Sequence, residues 1–222
     1  MRHRIKDGPR SLRDAECDAP ETCVCKLTRA YLIDVWFGAL HGDIVGTGLA
    51  ACGFRLRAQI VRAKQHFTLS RGDYHWQHEI CWYAVRDGKT SHWQVDRSQT
   101  TVWEIANNNP FGQREAGWEH ATQKPVECMR RPIINNSHAG QPIYDPFLGS
   151  GTSVIAAERT GRVCYGLELN PAYVDVVVRR WQLFTGRAAR HQASGQSFDE
   201  HAAQQNDAQS GTGHGETSLC RE

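Results

Sequence analysis

IYDPFLGSGTSVIAAERTGRVCYGLE, residues 143–168, is the stretch on which the reading of the fold turns. A short apolar run, Pro142-Ile143-Tyr144, predicts a buried strand, and an acidic, glycine-rich turn follows over 145–152. Val154, Ile155 and Ala157 then recur at helical spacing, and a second apolar run ends at a carboxylate, Glu168. Strand, glycine turn, helix, strand is the opening unit of a nucleotide-type parallel sheet. The glycines let a ligand approach the main chain closely, Ser150 or Thr152 is placed to cap the helix, and Gly161 to end it in a left-handed conformation. Glu168 stands where such sheets put an acid against ribose hydroxyls.

The turn also narrows the choice of ligand. A phosphate-binding loop requires Lys before the Ser or Thr, and Gly151 precedes Thr152 here. A Gly-x-Gly-x-x-Gly fingerprint fails because Val154 holds the third glycine position. Asp145 would repel a phosphate unless a metal intervened, whereas a carboxylate suits a cation or a ligand rich in hydroxyls and amines.

At 222 residues the chain allows one domain of ordinary size with tails. No apolar run approaches the roughly 18 residues of a membrane span. The first residues, MRHRIKDGPR, lack an apolar signal core, so an intracellular protein is expected. The net charge of +2 is unevenly spread: residues 44–72 contain no Asp or Glu but hold Arg55, Arg57, Arg62, Lys64 and Arg71. That run is a candidate surface for a nucleic-acid backbone. Of eight cysteines, Cys81 and Cys164 lie in apolar runs and read as small core residues of a reducing compartment. Cys17, Cys23 and Cys25 cluster without a matching His pair, and His75 and His78 lack a second ligand pair, so no metal site is read.

Taken in order, residues 1–26 read as a poorly ordered segment, 27–186 as the folded domain and 187–222 as a flexible tail. Strands are expected over 31–37, 54–61 and 79–85, and a helix over 43–51. Residues 89–121 form a long polar loop in which Trp93, Trp103, Phe111 and Trp118 are interleaved, and these groups beside Arg97 and Arg114 can contact nucleic-acid bases. A helix starts at Lys124-Pro125, with Pro132 expected to kink or end it. Asn170-Pro171 caps and starts another, closed by Gly186.

DPFLGSGT (145–152), together with FTLSRGDYHWQHEICWYAVR (67–86), ATQKPVECMRRPI (121–133) and YGLELNPAYV (165–174), resembles in content and order the circularly permuted amino DNA methyltransferases, especially phage and prophage modification enzymes. The resemblance covers about residues 30–186 and implies an α/β, Rossmann-like methyltransferase domain whose mostly parallel sheet has helices on both faces. It also implies S-adenosylmethionine as cofactor, duplex DNA as partner, and methylation of the exocyclic amino group of adenine or cytosine. Carried over by residue, it places the cofactor against Asp145, Pro146, Phe147, Gly149, Ser150, Gly151 and Thr152, with Glu168 on the ribose and Thr122, Gln123, Lys124 and Pro125 near the methionine part. It admits a homodimer and a restriction endonuclease partner, and implies a cytoplasmic setting in a bacterium or phage-infected cell. The family's Asp-Pro-Pro-Tyr element, expected before Tyr31 in this order, is not read there, so no catalytic residue is assigned and the domain is expected to be N-terminally incomplete. The alternative expectation is a copy that binds S-adenosylmethionine or DNA without transferring the methyl group.

Overall fold

The computed structural model of the chain describes residues 30–69, 71–106 and 123–211. Their elements are β1 (Leu32–Phe37), α1 (Gly42–Ala51), β2 (Phe54–Thr68), β3 (Trp76–Arg86), β4 (Val102–Glu104), α2 (Val126–Asn136), β5 (Pro142–Asp145), α3 (Thr152–Arg159), β6 (Val163–Gly166), α4 (Pro171–Thr185) and α5 (Phe198–Gly211). Thr122 and Arg114 of the candidate site, together with residues 1–29 and the second half of the long loop (107–121), lie outside the described residues.

The class is α/β, as expected, but among the described residues the strand pairing is mixed and not mostly parallel. The larger sheet has the order β1-β3-β2-β4, with β3 antiparallel to both neighbours and β2 parallel to β4. β5 and β6 form a parallel pair. Connection explains the difference: β2 runs directly into β3 as a hairpin, which must be antiparallel, whereas α3 supplies the crossover that a parallel β5–β6 pair requires.

β3 is paired on both edges, and its Ile80, Cys81, Ala84 and Val85 are buried. Cys81 and Ala84 are an odd number of residues apart, so they face opposite sides of the sheet. On one side Cys81 packs with Ile60, Trp103, Ile105 and Cys128 of α2, and on the other Ala84 packs with Phe54 and Leu49 of α1. A third cluster, Val154, Val177 and Trp181, joins α3 to α4. The thiols fit this packing role. Cys81 and Cys128 are free and buried, and burial pushes Cys128 up to about 11 and Cys164 up to about 12, far from reactive thiolates.

Three expectations change. β2 runs to Thr68 rather than ending near Val61, because its far end pairs with Trp76. Pro132 does not end α2, which continues to Asn136. The turn beyond the proline is held from outside the helix ladder: Asn135 exchanges two amide hydrogen bonds of 2.9 Å with Gln99, and its carbonyl accepts from the Gln94 N–H at 2.7 Å. Asn136 Nδ2 also donates to the Pro132 carbonyl at 3.0 Å. Finally, the expected flexible tail carries α5, whose start is tied back by the Phe198 N–H donating to the Ala189 carbonyl at 2.9 Å. No described helix is long and apolar enough to cross a membrane.

Candidate functional site

The glycine turn is fastened to the end of β6. Leu148 donates its N–H to the Leu167 carbonyl at 3.0 Å, and Leu167 donates to the Asp145 carbonyl at 2.9 Å. Gly149 and Gly151 both take positive φ, 52° and 79°. A methyl group on Gly151 would lie 2.8 Å from Val177, so the turn needs glycine there twice over, for conformation and for space.

α3 begins without the expected hydroxyl cap: Gly151 is its N-cap, and no side chain caps the helix. The hydroxyls are used otherwise. Ser153 Oγ donates to Asp145 Oδ2 at 2.5 Å while the Phe147 N–H donates to Oδ1 at 3.0 Å, so Asp145 shapes its own turn. Thr152 Oγ1 donates to the Lys124 carbonyl at 3.3 Å. Glu168 reaches back across the turn, accepting from the Gly149 N–H at 2.8 Å and the Asn170 N–H at 2.9 Å. A carboxylate accepts about four hydrogen bonds, so both acids retain capacity for a ligand. The mouth of the turn is open: among the described residues nothing lies within 4 Å of where a Gly149 side chain would start, and Phe147 and Leu169 are 78% and 98% exposed beside the two acids. Acids next to exposed apolar groups suit a ligand with one flat apolar part and one hydroxyl-bearing part.

Lys124 joins this turn to the larger sheet. Its ammonium lies 3.4 Å from Glu79 Oε2 and 5.5 Å from the Trp36 ring, and Pro125 behind it is buried at the start of α2. Gln123 is half-buried beside it. Burial alone would raise the Glu79 carboxyl, but the Lys124 and Arg62 charges and their hydrogen bonds hold it below the usual carboxylate value. Lys124 also lines a cleft of about 480 Å³ with Trp36, Phe37, His41, Trp76 and His78.

Among the basic residues, Arg62 corrects the sequence reading. It is 3% exposed, bonded to Glu79 at 3.1 Å and to the carbonyls of Ile105 and Ala106 at 3.1 Å each, so it braces the chain after β4 instead of facing DNA. It points inward because it shares the inner face of β2 with Ile60, two residues before it. Arg57, Arg71 and Arg97 are exposed, Arg55 is exposed but paired with Asp87 at 2.9 Å, and Lys64 donates to Thr68 Oγ1 at 2.8 Å. Arg55 and Lys64 lie nine residues apart along β2, about 30 Å at strand spacing, so the basic run is distributed along the strand and not gathered into one patch.

Two residues that position the turn escaped the sequence reading. Arg180, 6% exposed, donates to the Ser150 carbonyl at 3.1 Å and to Thr152 Oγ1 at 3.3 Å, and Ser153 holds Asp145. The signal for Arg180 was its spacing, since it falls three residues after Val177 and beside Trp181 on the apolar side of α4.

Residues 40–179 match the N6/N4 family model described as DNA methylase. The type II methyltransferase M.Cfr9I of Citrobacter freundii is 34% identical over 158 residues, 71% of this chain and 48% of that protein. M2.DpnII of Streptococcus pneumoniae is 28% identical over 160 residues, 66% of this chain and 59% of that protein. The chain thus spans about half the length of the curated relatives it matches. Among solved structures, the M1.HpyAVI–SAM complex superposes with a TM-score of 0.61 at 17% identity, covering 73% of this chain and 82% of that one. The cytosine-N4-specific PvuII DNA methyltransferase superposes with a TM-score of 0.55 at 17% identity, covering 68% and 62%. At that identity the likeness is one of fold. With the family model matching well over half of its length, the chain belongs to the N6/N4 DNA methylase family.

Proposed function

We propose that this chain performs the S-adenosylmethionine-dependent methylation of the exocyclic amino group of adenine or cytosine in duplex DNA. The observation that carries the reading is the open turn over 145–152, closed from below by Asp145 and from the side by Glu168, in a member of the DNA methylase family. The residues present fit that cofactor: exposed Phe147 and Leu169 offer apolar contacts for its flat base, and Glu168 keeps acceptor capacity for its hydroxyls. Bound there, the cofactor would supply an electrophilic methyl group.

The chain's own contribution is positioning. Asp145 and Ser153 set the turn, Arg180 and Val177 back it, and the Thr152–Lys124 link ties it to the cleft lined by Trp36, Trp76 and His78. Holding donor and acceptor in line is worth orders of magnitude in rate. An aromatic-walled cleft next to the turn suits a base taken out of the duplex, the general requirement for chemistry on a base edge. The relatives being type II methyltransferases supports a modification role alongside a restriction endonuclease. The test is transfer of labelled methyl from S-adenosylmethionine to unmethylated duplex DNA. Incorporation at the amino nitrogen is the expected result, and cofactor binding without incorporation would refute methyl transfer by this chain.

A further inference from the structure

β1 leaves the sheet before β3 does. The last pair along their shared edge is Phe37 with Ile80, yet β3 begins at Trp76, so its residues 76–79 run past the end of β1. The chain turns away through residues 38–41 into α1, and the cleft lies between that turn and the start of β3, with Lys124 on its wall. Glu79 is the first residue of β3 beyond the last pair. It shares a face with Cys81, two residues on, whose partner across the strands is Trp36. Among the described residues that line the cleft, Glu79 is the one carboxylate.

Its contacts fall on one oxygen. Oε2 accepts from Arg62 Nη1 at 3.1 Å and from Lys124 Nζ at 3.4 Å. A carboxylate accepts about four hydrogen bonds, so Oε1 keeps capacity for a donor in the cleft. Burial on its own would raise the carboxyl, but the two cations hold it below the usual carboxylate value, so it is ionised at neutral pH. Arg62 is fixed in turn by the carbonyls of Ile105 and Ala106, and Lys124 stands over the Trp36 ring, so the acid is held from two sides. The Lys124 carbonyl accepts from Thr152 of the glycine turn, which places Glu79 one lysine side chain away from that turn.

On the premise that this cleft receives the base to be methylated, we infer that Glu79 is a catalytic residue, whose Oε1 accepts a hydrogen bond from the exocyclic amino group and takes the proton that methylation displaces. An amino group conjugated with a base ring is a weak nucleophile, and an acceptor on its N–H raises the electron density at nitrogen. In the transfer, nitrogen forms its bond to the methyl carbon as the carbon–sulfur bond breaks with its electron pair left on sulfur. The surplus proton passes from nitrogen to Glu79 and on to water, which reaches a side chain that is 29% exposed. A weak base is enough, since a protonated amino group on a base ring is a strong acid. The other ionisable groups of the lining, His41, His78 and Lys124, carry no negative charge, so Glu79 is the strongest acceptor among them.

The test uses the full chain with Glu79→Gln, Glu79→Asp and, as a control, Glu127→Gln, an ion-paired acid outside the cleft. Transfer of labelled methyl to unmethylated duplex DNA gives kcat and KM, calorimetry gives the affinity for S-adenosylmethionine, and quenching of tryptophan fluorescence gives that for free nucleosides. Glu79→Gln should lower kcat about 100-fold, with cofactor affinity, melting temperature and the control at the wild-type level. Glu79→Asp keeps the charge that Arg62 and Lys124 face but withdraws the oxygens by one methylene, so it should fold and lose about tenfold. It carries the test should Glu79→Gln not fold. Without cofactor, the wild type should bind 2′-deoxyadenosine or 2′-deoxycytidine more tightly than the same nucleoside lacking its amino group, and Glu79→Gln should abolish the difference. Wild-type kcat in either variant would make the inference wrong while the methyltransferase reading stands. If the folded wild type binds the cofactor but transfers no methyl, both are wrong. Cofactor affinity lost in step with kcat would mean that the carboxylate works through Lys124 as a positioning residue, and would overturn the inference. A wild type without preference for the amino-bearing nucleoside would overturn it too.

Discussion

Gly151→Ala is the perturbation that most sharply separates the two reasons for glycine in the turn. At φ 79° any side chain is strained, by about 1–2 kcal/mol. In addition, the new methyl would lie 2.8 Å and 2.9 Å from the two Val177 methyls and 3.2 Å from its Cβ, on a residue that is 2% exposed and packed with Val154 and Trp181. Overpacking of this kind costs about 1–3 kcal/mol, giving about 2–5 kcal/mol together. Gly149→Ala shares the strain, at φ 52°, but meets none of the described residues within 4 Å, so about 1–2 kcal/mol is expected there. Urea unfolding followed by tryptophan fluorescence gives both values, provided the slope with denaturant is unchanged. Combining Gly151→Ala with Val177→Ala should recover part of the loss, with a coupling of about 1–2 kcal/mol. Equal costs at the two glycines, or strict additivity with Val177→Ala, would show that α4 does not press on the turn and would refute this account of it.

Two further outcomes follow from buried charge. Arg62→Ala leaves Glu79 part-buried with one partner fewer and removes two bonds to the chain after β4, so it should cost about 3 kcal/mol in chemical unfolding while leaving the salt dependence of DNA binding unchanged. A flatter salt dependence would return Arg62 to the DNA surface. Asp34 lies within β1 between Ile33 and Val35, and burial pushes its carboxyl from 3.8 up to about 7. Because the folded value is the higher one, the unfolded chain ionises first as pH rises, and stability is lost between about pH 4 and pH 7. Asp34→Asn should therefore be more stable than wild type at pH 8 by about 2–4 kcal/mol, the lower figure allowing for the residue's partial exposure, with the gap closing below pH 4. A gap independent of pH would contradict it.

The parts legible in the sequence were those whose cause is local. The β5–turn–α3–β6 unit follows from apolar period and glycine placement, Asn170 caps α4 with a 3.0 Å bond to the Ala172 N–H, and Gly161 and Gly186 end helices at φ 69°. What the sequence hid depends on partners far along the chain. Pro132 reads as a breaker because the residues that hold the turn beyond it, Gln94 and Gln99, stand more than thirty positions away. Arg62 reads as one of five similar cations until the strand register turns it toward Glu79. The role of the Ser153 hydroxyl went unread because its acceptor, Asp145, precedes the turn that brings them together. Candidate residues on the turn itself were found by motif. Arg180 behind the turn was missed because its helical spacing with Val177 and Trp181 marks only the apolar side of α4, while the carbonyl it meets, that of Ser150, stands thirty positions away.

The most direct test of the central claim is calorimetric titration of S-adenosylmethionine into the full chain, the Asp145→Ala variant and the Glu168→Ala variant, each checked for intact secondary structure. One saturable site in the wild type, weakened at least tenfold by either substitution, is the result the turn geometry predicts. A folded wild type with no saturable binding, or variants that bind as tightly as it does, would contradict the placement of the cofactor on residues 145–152 and Glu168.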